Sequence, residues 1–316
     1  MQQPTETLPA TPDGLSRAAA ILRAGGLVAF PTETVYGLGA HARDDRAVAR
    51  IFEAKGRPRF NPLIVHLPDV AAVRKIAVMS DAAERLADAF WPGPMTLVLP
   101  VAPDAGLSPL VTAGLDTVAV RVPEHPVAQN LLRVFGGPVA APSANPSGRV
   151  SPTRADHVRD GLSGRIEAVV DGGACPVGVE STIIGLAGRP ALLRPGGLPV
   201  EAVEACLGAP LGAAGEGISA PGQLASHYAP GAPVRLDVSA PGADEFWIGF
   251  GPGTGDAPMT LSATGDLVEA AANLFHALRE ADIRAAGRTI AIAPIPEHGL
   301  GRAINDRLRR AAAPRP

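Results

Sequence analysis

The sequence predicts an α/β protein of two units, a larger one with a mixed sheet and a smaller α/β unit behind it. Three observations carry this. Short apolar runs such as Leu27–Phe30 and Leu63–His66 alternate with segments of 3.6-residue apolar period, the pattern of strands interleaved with helices. Neighbouring strands such as Thr96–Pro100 and Val118–Val122 lack an obvious helix between them, which a purely parallel sheet does not allow. Charge almost disappears over Gly208–Gly217, a Gly/Ala-rich stretch that reads as a linker, and 316 residues exceed one ordinary core of about 100–200 residues.

The elements follow in order. Asp13 is the expected cap of a first helix with Leu15, Ala18, Ala19 and Leu22 on one face, stopped by Gly25-Gly26. Strand Leu27–Phe30 runs into a loop, Pro31–Gly39. A helix from Asp44 carries Val48, Ile51 and Phe52 and ends before Pro58, since a residue preceding proline avoids helical geometry. Strand Leu63–His66, helix Asp81–Phe90, strands Thr96–Pro100 and Val118–Val122, helix Pro126–Phe135 and strand Pro138–Ala141 come next, then strands Ala168–Val170, Thr182–Leu186 and Ala191–Leu193. The second unit is read as Val234–Leu236, Glu245–Phe250, helix Asp266–Ala281, strand Thr289–Ala293 and helix Gly301–Ala311. The boundaries are 13–207, a linker over 208–231, and 232–316.

Composition excludes several classes. A net charge of −3 and 4% aromatics argue against a protein that lives on nucleic acid through bulk charge and stacking. Cys175 and Cys206 alone give no disulfide framework. No apolar run reaches the ~18–20 residues of a membrane span, and Met1–Gly14 lacks a signal pattern. The cytoplasm is the expected compartment.

Four segments place polar groups at the ends of apolar strands, where α/β sheets bind ligands. Pro31-Thr-Glu-Thr-Val-Tyr-Gly-Leu-Gly39 offers hydroxyls and glycines, or else a turn capping its own backbone. Lys55-Gly-Arg57-Pro-Arg59-Phe-Asn61-Pro-Leu63 puts three cations in five positions between stiffening prolines, the makings of a phosphate clamp. Ala140–Gly148 carries Ser143 and Asn145, two apart and so on one side of an extended segment. Asp171-Gly-Gly173 and Gly178-Val-Glu-Ser-Thr182 add a hydroxyl pair. There is no Walker loop; Gly249–Gly255 has the wrong spacing for a dinucleotide loop, and the seven histidines show no metal-site spacing.

Pro31-Thr-Glu-Thr-Val-Tyr-Gly-Leu, Lys55-Gly-Arg-Pro, Asn61-Pro-Leu, Pro142-Ser-Ala-Asn145 and Glu180-Ser-Thr182, in this order, resemble the YrdC-like superfamily. The segment Pro221-Gly…His227-Tyr-Ala-Pro230 and the extra α/β unit are similar to its long, two-domain threonylcarbamoyl-AMP synthases. The resemblance implies a twisted, mixed YrdC-like sheet with helices and a smaller C-terminal Rossmann-like domain. It places Thr32, Thr34, His66, Arg121, Ala141 and Ser181 around L-threonine, with Arg121 on its carboxylate. It places Lys55, Arg57, Asn61, Thr117, Ser143, Asn145, Ser151 and Arg194 on ATP, with Lys55 and Arg57 acting on the reacting phosphate, and Tyr228 closing over the nucleotide. Where family linkers often carry more basic residues, this chain has Gln223-Leu-Ala-Ser226, so from the linker only Tyr228 is given a role.

The implied reaction joins L-threonine, bicarbonate or CO2 and ATP into threonylcarbamoyl-AMP, releasing pyrophosphate, with Mg2+ arriving on ATP. The product would feed threonylcarbamoyl-transferring proteins that modify tRNA adenosine. Two rivals are an RNA-binding protein that uses the basic cleft without catalysis, and an enzyme taking carbamoyl phosphate instead of threonine.

Overall fold

A computed structural model describes residues 4–213, 215, 220 and 226–314. Of the stretch 208–231 read as a linker, residues 214, 216–219 and 221–225 lie outside the described residues, as do 1–3 and 315–316. The first unit opens with β1 (Glu6–Pro9), α1 (Pro12–Arg23), β2 (Val28–Pro31), β3 (Tyr36–His41), α2 (Asp45–Lys55), β4 (Ile64–His66), α3 (Val70–Val73) and α4 (Asp81–Phe90). It continues with β5 (Met95–Pro100), α5 (Pro109–Thr112), β6 (Thr117–Arg121), α6 (Pro126–Phe135), β7 (Val139–Ala140), α7 (Ala155–Leu162), β8 (Ala168–Asp171), β9 (Thr182–Gly185), β10 (Ala191–Arg194), α8 (Val200–Leu207) and β11 (Gly212–Ala213). The second unit comprises β12 (Val234–Arg235), β13 (Glu245–Gly249), β14 (Met259–Thr260), α9 (Leu267–Ala285), β15 (Thr289–Ile292) and α10 (Leu300–Ala312).

The first sheet runs β1-β8-β2-β3-β7-β4-β6-β5-β9-β10-β11 and is mixed as expected: β4/β6 and β5/β9 are parallel, β2/β3 and β5/β6 antiparallel. The smaller sheet, β12-β15-β13-β14, is parallel throughout. Two local readings change. The cap of α1 is Thr11, whose hydroxyl accepts from Gly14 N, because Pro12 takes the first helical position and Asp13 falls inside the first turn. Part of the expected loop Pro31–Gly39 is strand β3, in which glycine is a packing requirement: a Cβ on Gly39 would lie 2.9 Å from the Phe30 ring.

Alternation along the strands sorts residues between the two faces. Ala29, Val65, Leu97, Val120, Ala140 and Ile184 point into the largest core, shared with α2 and α4. Val28, Phe30, Val139 and Ala141 point the other way and are covered by α1 and α6. That second face continues across β4, β6, β5 and β9 as Ile64, Ala119, Val98 and Ile183, where it meets Ala220 and Leu193 instead of a helix. Half of one sheet face is therefore left for loops, and the site is built there.

The second unit docks closely. Gly178 sits at φ 77°, and a Cβ there would lie 2.3 Å from Ala271 O and 2.4 Å from Ala272 Cα of α9. Gly178→Ala should lower stability by about 2 kcal/mol or more, since it adds both left-handed strain and overpacking against backbone. A urea-unfolding midpoint equal to that of the unsubstituted protein would show that α9 yields freely.

Candidate active site

Loops at the rim of the uncovered half-sheet surround a narrow, partly open cavity of about 50 Å3. Among its walls are Thr32, Thr34, Arg57, His66, Arg121, Ala141, Ser143, Glu180, Ser181, Arg194, His227 and Tyr228. All six residues assigned to threonine are among them, with Arg57, Ser143, Arg194 and Tyr228 from the nucleotide set.

Lys55 closes α2, and Gly56 follows in the left-handed conformation at φ 61°. The ammonium does not serve its own helix end. It crosses to the turn after β7 and donates to Ser143 O, at 2.6 Å, and to Asn145 O. It is almost wholly buried and stands beneath the turn, behind the cavity wall. Burial, then the neighbouring Arg57, holds its pKa well below 10.5. Arg57 folds its loop back on itself, donating to Asn61 O at 3.3 Å and Pro62 O at 2.9 Å. Burial, with a further contribution from Arg194, lowers its pKa to about 10. No ion pair joins Lys55 or Arg57 to a carboxylate among the described residues. Arg59, the third cation of the motif, is exposed and takes no part.

At the other end Arg121 donates through Nη1 to Thr34 Oγ1, at 2.8 Å, and through Nη2 to Glu33 Oε1, at 2.5 Å. Glu33 is itself anchored by the backbone N–H groups of Glu124 and His125. Thr32 spends its hydroxyl on its own turn, bonding Thr34 Oγ1 and Val35 O, as a self-capping turn would; Thr34 alone faces Arg121. His66, beside Arg121, is neutral: burial and the Arg121 charge bring its pKa to about 3. Ser181 shares a 2.7 Å hydrogen bond with Thr96, and its carbonyl accepts from Arg194 Nη2 at 2.9 Å.

Two placements differ from the sequence reading. Asn145 does not face the cavity with Ser143. Its amide donates to Pro146 O and Arg149 O and braces the following loop, because the chain turns there instead of remaining extended. Thr117 is at the opposite end of β6 from Arg121, about 13 Å along the strand at ~3.3 Å per residue. It is off the cavity wall but on the same sheet face, with Ala119 between. Asn61 and Ser151 are buried just behind the wall, the latter donating to Glu180 Oε1 at 2.6 Å.

Sequence reasoning passed over Glu33, Glu180, His227 and Arg307. Glu33 and Glu180 stand inside the quoted motifs, and an acid embedded between hydroxyls in an apolar strand end was the available signal. His227 is buried against Tyr228, ring centroids 4.1 Å apart, and burial lowers its pKa to about 3. Tyr228 holds φ 60° and stacks on Phe275 of α9. Of the eight buried polar atoms without a partner among the described residues, His66 Nδ1, Arg121 Nε and His227 Nδ1 belong to residues of the cavity wall, and Asn61 Oδ1 and Asn145 Oδ1 to residues behind it. Native proteins rarely leave such groups unsatisfied unless a ligand or water serves them.

The family profile for Sua5, YciO and YrdC proteins, described as "Telomere recombination", matches residues 20–196, and the "Threonylcarbamoyl-AMP synthase, C-terminal domain" profile matches 198–313. A threonylcarbamoyl-AMP synthase of Bacillus subtilis is 43% identical over 98% of this chain and 96% of its own length. One from Pyrococcus abyssi is 45% identical over 93% of each. The crystal structure of P. abyssi Sua5 complexed with L-threonine superposes with a TM-score of 0.88 at 42% identity, covering 98% of this chain and 97% of that one. Escherichia coli YciO, at 24% identity and a TM-score of 0.56, shares the fold over 62% of this chain.

An anion bound close to Lys55 raises its depressed pKa, so binding takes up protons around that pKa, and affinity falls as pH rises through it. Calorimetry with inorganic tripolyphosphate in buffers of differing ionisation enthalpy should show this uptake in the unsubstituted protein and not in Lys55→Met. Equal uptake in Lys55→Met, or none in the unsubstituted protein, would show that Lys55 is not the group that the anion protonates.

Proposed function

The chain belongs to the threonylcarbamoyl-AMP synthase family, and we propose that it catalyses formation of L-threonylcarbamoyl-AMP from L-threonine, bicarbonate or CO2 and ATP, as a nucleotidyltransferase of the cytoplasm. The observation that carries this is Lys55 and Arg57, buried beside an Arg121 pocket and, among the described residues, held by carbonyls without a carboxylate partner. Such cations call for a polyanion, and the pocket next to them fits a small zwitterion.

Threonine lies with its carboxylate toward Arg121, whose Nε still has a hydrogen to donate, and Glu33 fixes the guanidinium from behind. The threonine amine, having lost its ammonium proton, attacks CO2; an N–C bond forms, a second N–H proton passes to solvent, and an N-carboxylate results. A carboxylate oxygen then attacks the α-phosphorus, the bond to the β-phosphate oxygen breaks, and pyrophosphate leaves. Positioning and charge stabilisation do most of the work in such a transfer. Arg57, Arg194 and Ser143 act from the wall, while Lys55 acts from beneath the Ser143–Asn145 turn, where low polarity strengthens its field. Mg2+ carried on the nucleotide would supply a further offset to phosphate charge; among the described residues no cluster of three or more His, Cys, Asp or Glu forms a cage for it, so it would be held mainly by the phosphates and water. The carbamate is labile in water, so a site closed by Tyr228 protects it.

The product serves proteins that transfer threonylcarbamoyl to tRNA. The rival RNA-binding reading is weakened, because two of its three cations are buried and only Arg59 is exposed. Threonine in the P. abyssi relative favours an amino acid over carbamoyl phosphate.

Mass spectrometry should detect threonylcarbamoyl-AMP after incubation with ATP, Mg2+, threonine and bicarbonate. Lys55→Ala should cut pyrophosphate release by about a hundredfold or more, equivalent to about 3 kcal/mol, with an unchanged circular-dichroism spectrum. A folded Lys55→Ala protein of full activity would overturn the phosphate clamp; absence of the adenylate from the unsubstituted protein would overturn the reaction.

A further inference from the structure

We infer that Arg307, on α10 of the second unit, is a positioning residue for the nucleotide side of the cavity, holding Glu180 neutralised and in place so that a buried carboxylate and a triphosphate can be neighbours. The identity of the anion rests on the function proposed above; the pairing itself does not.

Arg307 has no exposed surface, and among the described residues it is the largest wholly buried side chain. Its Nε donates to Glu180 Oε2 at 2.9 Å, and its Nη1 donates to Pro195 O at 2.6 Å and to Asp306 Oδ2 at 2.9 Å. The guanidinium carbon lies 5.5 Å from the centre of the Tyr228 ring. One side chain of the second unit thus touches three parts of the site: the Glu180–Ser181 loop, the backbone just after Arg194, and Tyr228. The other carboxylate oxygen of Glu180 accepts from Ser151, so each oxygen has its own partner. The charged and titratable groups facing Glu180 are Arg307, Arg194, His227 and Tyr228, with Asp306 behind Arg307.

A carboxylate on the wall of a polyphosphate site opposes its ligand. Burial pushes the Glu180 pKa up, but the Arg307 and Arg194 charges outweigh that and leave it below the usual carboxylate value. Glu180 is therefore a fixed, compensated acceptor for Ser151. With Arg307 replaced by an apolar side chain of similar length, burial becomes the leading influence on Glu180. The carboxyl then either protonates or stays charged and repels phosphate, so nucleotide affinity falls as pH rises through the raised pKa. In the unsubstituted protein Glu180 stays ionised across that range and adds no such dependence.

The test is ATP–Mg2+ binding by calorimetry, without threonine or bicarbonate, across pH ~5 to ~8, for the unsubstituted protein, R307M, E180Q and R307M/E180Q. R307M should bind about tenfold more weakly or worse at the upper pH, with a steeper pH dependence than the unsubstituted protein. R307M/E180Q should return to within about threefold, with the ordinary pH dependence, because the uncompensated charge has gone. R307M binding as the unsubstituted protein does, or a double variant no better than R307M, would leave Arg307 a mere strut and overturn the inference. If R307M does not fold, the same coupling is read in whether R307M/E180Q regains a folded circular-dichroism spectrum, and a double variant equally unfolded overturns the inference. Adenylate formation by the unsubstituted protein is scored separately, so failure of the proposed reaction is distinguishable from failure of this pairing.

Discussion

Taking an ammonium or a guanidinium out of water costs several kcal/mol unless fixed dipoles or an opposite charge replace the lost hydration. In this protein Lys55 and Arg57 are out of water and held by carbonyl oxygens of two loops. Much of the architecture can be understood as the means of keeping them there. The turn after β7 must be stitched down to present its carbonyls; Leu38 N donates to Pro142 O, Ala144 N to Tyr36 O, and Ser147 N to Lys55 O. That stitching needs β3 beside β7, and β3 needs glycine where Phe30 and Val139 press on it. The cations remain under-compensated until an anion arrives, which is the condition a binding site for polyphosphate must meet.

The two ends of the cavity solve opposite problems. At the end proposed for the amino acid, Arg121 is already matched by Glu33, so a ligand there would be selected by shape and hydrogen bonds more than by net charge. At the end proposed for the nucleotide positive charge is in excess, and Glu180, the one carboxylate on that wall among the described residues, is compensated by Arg307 of the second unit together with Arg194. A zwitterion and a polyanion can then lie side by side without either site attracting the wrong partner.

Much of this was legible in the sequence, because the chemistry lies at strand ends where short motifs are contiguous. Thr34, Lys55, Arg57, Ser143 and Ser181 could be picked out that way, and the resemblance added His66, Arg121 and Arg194, which no local pattern marks. The ion pairs could not be seen. Glu33 meets Arg121 across 88 residues and Glu180 meets Arg307 across 127, and nothing local in either partner announces the other. Asn145 was misjudged because a period of two holds only while the chain stays extended, and it turns at Pro146. The cap of α1 was misplaced because Pro12, lacking an N–H, moves the first helical turn upstream.

Val35, Val150 and Val179 of the first unit are buried in the core formed by Phe275, Leu274, Ile292 and Leu308 of the second. Chain connectivity divides the molecule near residue 230, but oil-and-water partition does not divide it there. Cutting the polypeptide at the covalent junction would strand three aliphatic side chains in solvent, next to the loops that carry Thr34, Ser151 and Glu180. A lineage discarding the second unit would have to repaint that patch with polar residues while it rebuilt the charge balance of the cavity.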